Sequence, residues 1–248
     1  MIAVRGLKKR LGKKQVLDGL DLDIQSGETV VVVGPSGSGK SVLLKHIIGL
    51  MDADAGSIQV DGEEIVGRRE RELNRTRKKF GMLFQGAALF DSMTVGENVA
   101  LPLREHAGFT EEEIEARVTE RLEWVGMKGV ERMKPASLSG GMKKRVGLAR
   151  AIVMDPKFIL YDEPTTGLDP IMADVIDQLI RDLQRRLGVT SIAVTHDMAS
   201  AFKIGDRIAM LLGGRIIYNG TPDETRATRE PVVRQFIDGS SQGPIQPV

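Results

Sequence analysis

Cysteine is absent from the 248 residues, which excludes disulfides and thiolate metal sites. Long apolar runs are missing too: the longest extend four to five residues, far below the roughly 20 that a membrane-crossing helix requires. Charge of either sign is not in excess, with 35 Lys and Arg against 34 Asp and Glu and a formal net charge of +1, which excludes a strong electrostatic case for nucleic acid. The basic clusters Arg68-Arg69, Arg75 to Lys79 and Lys143-Lys144-Arg145 are interleaved with acids and read as solvated helix faces. Met1 to Arg5 is not a basic start followed by an apolar segment, so no signal peptide is expected. A soluble, cytoplasmic chain is the expectation from these absences. No internal repeat is visible, and no aromatic residue occurs before Phe80.

What is present centres on Gly34-Pro35-Ser36-Gly37-Ser38-Gly39-Lys40-Ser41, which fits G-x-x-x-x-G-K-[ST]. A chance match in a chain this long has odds of roughly one in a hundred. The context lowers them: Thr29 to Val33 is a short β-branched run, and Ser41 to Ile48 is helix-compatible. Glycines let backbone N–H groups approach phosphate oxygens, and the following helix N-terminus adds partial positive charge. Lys40 would reach the β- and γ-phosphates and the Ser41 hydroxyl would ligate Mg²⁺. A glycine-rich turn that binds nothing has no need of Lys-Ser at that offset.

Ile2 to Leu7 and Val16 to Ile24 read as short strands, the second with Leu20, Leu22 and Ile24 on one face and Asp21 and Asp23 on the other. Ser57 to Val60 enters a turn at Asp61-Gly62; Glu70 to Lys79 is helix-compatible, and Phe80 to Phe84 is a strand ending at Gln85. From Gly86 to Asp155 helices are expected. Thr110 with Glu113 forms a capping box, behind which Ile114, Val118, Leu122 and Val125 share a face. Trp124, beside that stripe, is expected to pack rather than stack on a ligand. A helix starts near Ser139-Gly140-Gly141; Ser139 suits an N-cap, and a helix N-terminus also suits phosphate. Met172, Val175, Ile176, Leu179, Ile180, Leu183 and Leu187 mark a long amphipathic helix, and Ser191 to Thr195 a buried strand ending at His196. Arg207 to Leu212 and Arg215 to Asn219 flank Gly213-Gly214 as a hairpin. Alternating strands and helices give an α/β fold with a mainly parallel sheet.

Phe158 to Tyr161 is an apolar strand ending in Asp162-Glu163. Neighbours on a strand point to opposite sides, so the two acids can hold different posts: Asp162 on Mg²⁺ and Glu163 facing the attacking water as general base. An Asp-Glu pair is by itself a common solvated strand end; following an apolar strand in a P-loop chain gives it weight.

The ordered set of P-loop, Gln85, Leu138-Ser139-Gly140-Gly141-Met142, Asp162-Glu163, Gly167-Leu168-Asp169 and His196 resembles the nucleotide-binding subunit of ATP-binding cassette transporters over about residues 1–238. The resemblance implies a P-loop NTPase core (1–85 and 156–238) with an N-terminal antiparallel β subdomain, an inserted helical subdomain (86–155) and a tail (239–248). It implies that Gln85 contacts Mg²⁺ or water, that Ser139, Gly140 and Gly141 are the signature motif, that Asp169 is the D-loop aspartate and that His196 is the switch histidine near the γ-phosphate. A histidine at a strand end is ordinarily a satisfied core residue; its place after the Walker-B acids reverses that preference. Two cassettes would sandwich two ATP molecules with Mg²⁺, most simply as a homodimer.

Two positions depart from the family pattern. Met142 stands where the family usually has Gln, peripheral to the phosphate contacts. Near Leu11, where an aromatic ring normally stacks on adenine, there is none, and weak discrimination between ATP and GTP is predicted. Within the family, Leu83 to Ala100 and Leu101-Pro102-Leu103-Arg104-Glu105-His106 are similar to ATPase subunits of Mla-type phospholipid transport, as is Phe236 to Gly239 with Gly243-Pro244. That likeness implies a peripheral place on the cytoplasmic face of the inner membrane of a diderm bacterium. It also implies an integral membrane permease (MlaE-like), an MCE-type lipid-binding protein (MlaD-like) and a STAS-domain protein (MlaB-like) as partners. Phe84, Leu89 and Phe90 could line an apolar groove for a short permease helix or be ordinary core. The polar tail is expected to have no structure of its own and to lie on the partner ATPase. Alternative readings are the ATPase of an amino-acid or other solute importer, and a soluble cassette ATPase acting as a clamp or assembly scaffold.

Overall fold

The computed structural model describes residues 1–105 and 108–246; His106 of the stretch quoted above and Pro247 and Val248 of the tail lie outside the described residues. The chain begins with β1 (Ile2–Leu11) and β2 (Lys14–Ile24), paired antiparallel with Ile2 opposite Ile24 and Leu11 opposite Lys14. The alternation expected of Leu20, Leu22 and Ile24 is present, all three being buried. Both strands nevertheless outrun the apolar stretches that mark them. Lys8, Lys9 and Arg10 join through main-chain hydrogen bonds, which ask nothing of side-chain polarity, and the pairing absorbs three register shifts on the way.

There follow β3 (Thr29–Val33), α1 (Lys40–Ile47), β4 (Ala55–Val60), β5 (Glu63–Glu64), α2 (Glu70–Arg77) and β6 (Phe80–Leu83). Next come α3 (Val95–Glu105), α4 (Glu111–Trp124), a 3₁₀ turn (Pro135–Ser137) and α5 (Gly140–Ile152). The chain then runs through β7 (Phe158–Asp162), α6 (Pro170–Leu187), β8 (Thr190–Thr195), α7 (Met198–Ile204), β9 (Arg207–Leu212), β10 (Arg215–Gly220), α8 (Pro222–Ala227) and α9 (Pro231–Asp238).

The strands form two sheets. One is antiparallel, in the order β2-β1-β4-β5; the other has six strands in the order β10-β9-β3-β8-β7-β6, parallel except for the edge strand β10. This is the α/β architecture expected, with the antiparallel sheet supplied by the N-terminal segment. Strand β3 shows how the layers are glued. Val31 and Val33 join the core shared with α3, α4, α5 and α6, whereas Val30 and Val32 join the core shared with α1 and the antiparallel sheet. All four are 2% exposed or less, each worth about 1.5–3 kcal/mol relative to an exposed side chain.

Two local expectations hold in detail. Thr110 caps α4, its hydroxyl accepting from Glu113 N at 3.2 Å while Thr110 N donates to the Glu113 carboxylate at 2.8 Å. Trp124 packs, with the guanidinium groups of Arg121 and Arg186 centred 3.8 and 3.6 Å from its ring centroid. The tail differs. Residues 240–246 have no helix or strand, yet Gln235 on α9 donates to the carbonyls of Ser240 and Ile245 at 3.2 and 2.9 Å and accepts from Ile245 N at 2.7 Å. Ile245 also packs against the core. The tail is thus anchored on its own chain, because one partly buried amide satisfies the backbone of the returning segment, something composition does not disclose.

Candidate active site

Four parallel strands end on one edge of the six-stranded sheet, and each delivers a candidate group there, as expected at the carboxyl ends of an open α/β sheet. β3 leads into the glycine loop, β6 into Gln85, β7 into Asp162-Glu163 and β8 into His196. Between them lies an open cleft of about 470 Å³, walled by Leu11, Lys14 and Val16, by residues of the loop from Ser36 to Ser41, and by Gln85, Glu163 and His196.

The loop enters α1 through Gly39, whose φ of 106° is left-handed and whose absent Cβ would stand 3.0 Å from Val16 Cγ1. A side chain here would both strain the turn and push the antiparallel sheet away. The Ser38 hydroxyl is buried with no hydrogen-bond partner among the described residues, as a donor awaiting an oxygen would be. Lys40 is 7% exposed. Its ammonium donates to the carbonyls of Gly34 and Pro35 at 2.8 and 3.2 Å and lies 3.8 Å from Glu163 Oε1. Burial lowers its pKa, and the charges of Glu163 and Asp162 oppose that shift. One residue on, Ser41 Oγ donates to Asp162 Oδ1 at 2.7 Å.

Asp162 and Glu163 do occupy different posts, but not through the pleat. Asp162 closes β7; Glu163 has left the strand with φ 49° while its N–H still donates to Val194 O at 2.9 Å. The side chain is aimed by this left-handed turn, which costs a residue with a Cβ about 1–2 kcal/mol. Its Oε2 accepts from Thr166 Oγ1 at 3.0 Å and Thr195 Oγ1 at 3.4 Å and lies 2.9 Å from His196 Nδ1. Glu163 is therefore fixed from three sides, with Oε1 left toward Lys40.

Ser139, Gly140 and Asp169 are exposed, and Gly141, although buried, joins them outside this cleft. Ser139 caps α5 through Met142 N at 3.3 Å, and Asp169 caps α6 through Ile171 N and Met172 N at 3.0 and 3.1 Å. Sequence reasoning missed the supporting hydroxyls of Thr166 and Thr195, and it misread Lys144. That residue is 4% exposed rather than part of a solvated basic face, and its ammonium donates to the carbonyls of Gln85 and Glu163. Burial brings its pKa down to about 8. The missed signal is helical spacing: Lys144 falls on the buried stripe of Gly141, Leu148 and Ala151.

Among the described residues no three His, Cys, Asp or Glu side chains gather as a metal cage. The oxygens of Ser41 and Asp162, with the amide of Gln85 in the same cleft, are instead the sparse hard-oxygen set that suits a cation completing its shell with phosphate and water. No helix among the described residues is long and apolar enough to cross a membrane.

The ABC transporter family model matches residues 17–166. The chain is similar to the probable ribonucleotide transport ATP-binding protein mkl of Mycobacterium leprae, at 45% identity over 244 residues, covering 98% of this chain and 70% of that protein. It is also similar to the intermembrane phospholipid transport system ATP-binding protein MlaF of Haemophilus influenzae, at 40% identity over 246 residues, covering 99% and 93%. Among solved structures, the dimeric post-hydrolysis state of the ATP-binding cassette MJ0796 bound to ADP and Pi superposes with a TM-score of 0.82 at 33% identity, covering 90% of this chain and 99% of that one.

Proposed function

This chain belongs to the ABC transporter family, and from that premise we propose that it is the ATP-hydrolysing subunit that powers lipid transport between the inner and outer membranes of a diderm bacterium. The relative named for intermembrane phospholipid transport matches along almost its whole length, which supports this cargo class. The mycobacterial relative named for ribonucleotide transport favours a second reading, a polar solute, which the experiment below separates from the first.

The hydrolytic part rests on one arrangement: Lys40 3.8 Å and His196 2.9 Å from the two oxygens of Glu163, over the glycine loop. Lys40 exchanges the carbonyls of Gly34 and Pro35 for phosphate oxygens when ATP enters. The loop amides and the Ser38 hydroxyl add further donors. Glu163 accepts the proton of the water that attacks the γ-phosphorus, the bond to the β-phosphate oxygen breaks, and ADP departs. His196, Thr166 and Thr195 keep the carboxylate oriented throughout. Ser41, Asp162 and Gln85 would hold Mg²⁺, which neutralises phosphate charge when bound.

Ser139 to Gly141 and Asp169 do not line the chain's own cleft, and the helix N-terminus that Ser139 caps is open to solvent. A second copy completes the site, its signature residues meeting the nucleotide held by the first. Ile171, 77% exposed beside Asp169, suits the same buried face. The docking surface for an integral membrane permease is a cleft of about 450 Å³ on which Phe84, Ala88, Phe90, Leu101 and Pro102 converge. Phe84 and Phe90 are exposed, whereas Leu89 turns inward against the core, so two of the three residues named from sequence belong to the groove. The complex places this chain on the cytoplasmic face of the inner membrane, with an MCE-type lipid-binding protein and a STAS-domain protein as further subunits.

The test is recovery of the Glu163→Gln protein from membranes in the presence of ATP and Mg²⁺, with identification of the proteins and lipids that accompany it. A multispanning permease together with phospholipid is expected. A solute permease without lipid would replace the cargo, and a soluble partner alone would overturn the transport assignment while leaving the ATPase intact.

A further inference from the structure

Helix α5 offers three successive turns to the loop that follows β6. On the first, the buried ammonium of Lys144 donates to the backbone carbonyl of Gln85 and, at 3.0 Å, to that of Glu163. On the next, Gly147 admits the loop at close range: a Cβ there would stand 2.7 Å from Leu83 Cδ1 and 3.3 Å from the Ala87 Cβ. On the third, Arg150 donates to the carbonyls of Ala87 and Ala88 at 2.6 and 2.7 Å. The loop so held is not in a conformation it would choose alone, since Ala87 and Ala88 have φ of 60° and 47°, left-handed values that a Cβ disfavours.

A buried lysine is a costly way to fill space, and a methionine would occupy the same volume without desolvating a charge. What lysine adds is two directed bonds to main chain. Their acceptors are the two residues whose side chains face the cleft from β6 and β7. The helix that carries Lys144 is also the one whose first turn Ser139 caps, five residues and about 7.5 Å earlier along the axis. One ammonium thus fastens the signature helix to both loops.

We propose that Lys144 is a positioning residue for ATP hydrolysis, setting the backbone of Gln85 and Glu163 relative to the helix that Ser139 caps. Nucleotide engaged at Ser139 in the dimer then registers at Glu163 of the same chain, which belongs to the other nucleotide site. The inference rests on the roles given above to Glu163 and Gln85.

The test uses the full chain with Mg²⁺ and ATP, measuring kcat, KM and the thermal midpoint for Lys144→Met, Lys144→Arg and, as reference, Glu163→Gln. Lys144→Met is expected to lower kcat at least tenfold with KM changed less than threefold. Lys144→Arg, which restores main-chain donors, is expected to return kcat to within threefold of the parent. A Lys144→Met kcat within threefold of the parent overturns the proposal, and so does an equal loss in the Met and Arg variants, because donors rather than volume are what it requires. If the Met variant does not fold, Lys144→Leu, which also lacks a donor, takes its place under the same thresholds. Glu163→Gln separates the two levels: hydrolysis that survives it removes the site assignment, whereas its loss alongside an active Lys144→Met removes this inference alone.

Discussion

Ser41 Oγ donates to Asp162 Oδ1 at 2.7 Å, tying the first turn of α1 to the end of β7. On the metal-binding role proposed above, these two oxygens satisfy each other until a cation would take both. Ser41→Ala is therefore expected to raise the Mg²⁺ concentration at half-maximal ATPase rate by about tenfold, equivalent to about 1.4 kcal/mol. A Mg²⁺ titration at saturating ATP reads this directly, and an unmoved midpoint would remove Ser41 from the metal's shell.

Leu11 stands on the wall of the same cleft, 42% exposed, where no aromatic ring is available for the base. Aromatic stacking is worth about 0.5–1.5 kcal/mol, so Leu11→Tyr should tighten ATP binding by about two- to tenfold. The parent protein should turn over ATP and GTP with kcat/KM values within about tenfold of each other. A hundredfold preference for ATP in a competition assay would count against the absent ring as the cause.

Asp177 on α6 is 2% exposed, accepting from Ser200 Oγ at 2.9 Å with its second oxygen unpartnered among the described residues. Burial pushes its pKa from 3.8 up to about 6, with Ser200 and Lys203 opposing and the charges of Asp197 and Asp174 reinforcing. The folded state holds this proton more tightly than the unfolded state does. Its contribution to stability is therefore intact below about pH 4 and lost as pH rises through about 6, a swing on the order of 3 kcal/mol. Asp177→Asn should gain on the parent across that interval and hold the gain at pH 7.5. Denaturant unfolding at four pH values between 4 and 7.5 measures it, and a difference independent of pH would contradict the assignment.

The Thr110–Glu113 capping box should carry about 1 kcal/mol, so Thr110→Ala is expected to lower the thermal midpoint by about 2–4 °C with ATPase activity unchanged. No shift would mean that α4 is held by its apolar stripe alone.

That box was legible because its logic is local: four residues contain both donors and both acceptors. The parallel sheet was legible for a related reason, since Thr29 to Val33, Phe158 to Tyr161 and Ser191 to Thr195 are short apolar runs that read as buried strands wherever they go. What escaped was long-range. Glu163 owes its aim to a left-handed turn, and nothing in an Asp-Glu pair announces that conformation. Lys144 sits in a basic run whose charge suggested solvent, and only its burial beneath the segments that follow β6 and β7 shows it to be enclosed. The tail's anchor is one side chain, Gln235, whose partners are main-chain groups with no identity in the sequence.

The strand order β3-β8-β7-β6 has a metrical consequence. Adjacent strands lie about 4.8 Å apart, so the glycine loop, His196, Glu163 and Gln85 stand at successive graduations of one ruler, with Val33 opposite Thr195 and Asp162 opposite Val194. The ruler is ruled in main-chain hydrogen bonds, not in side chains. Repacking the layers above or below it leaves the graduations where they are, while a slip of one residue between β7 and β8 displaces the carboxylate by about 3.3 Å along the strand.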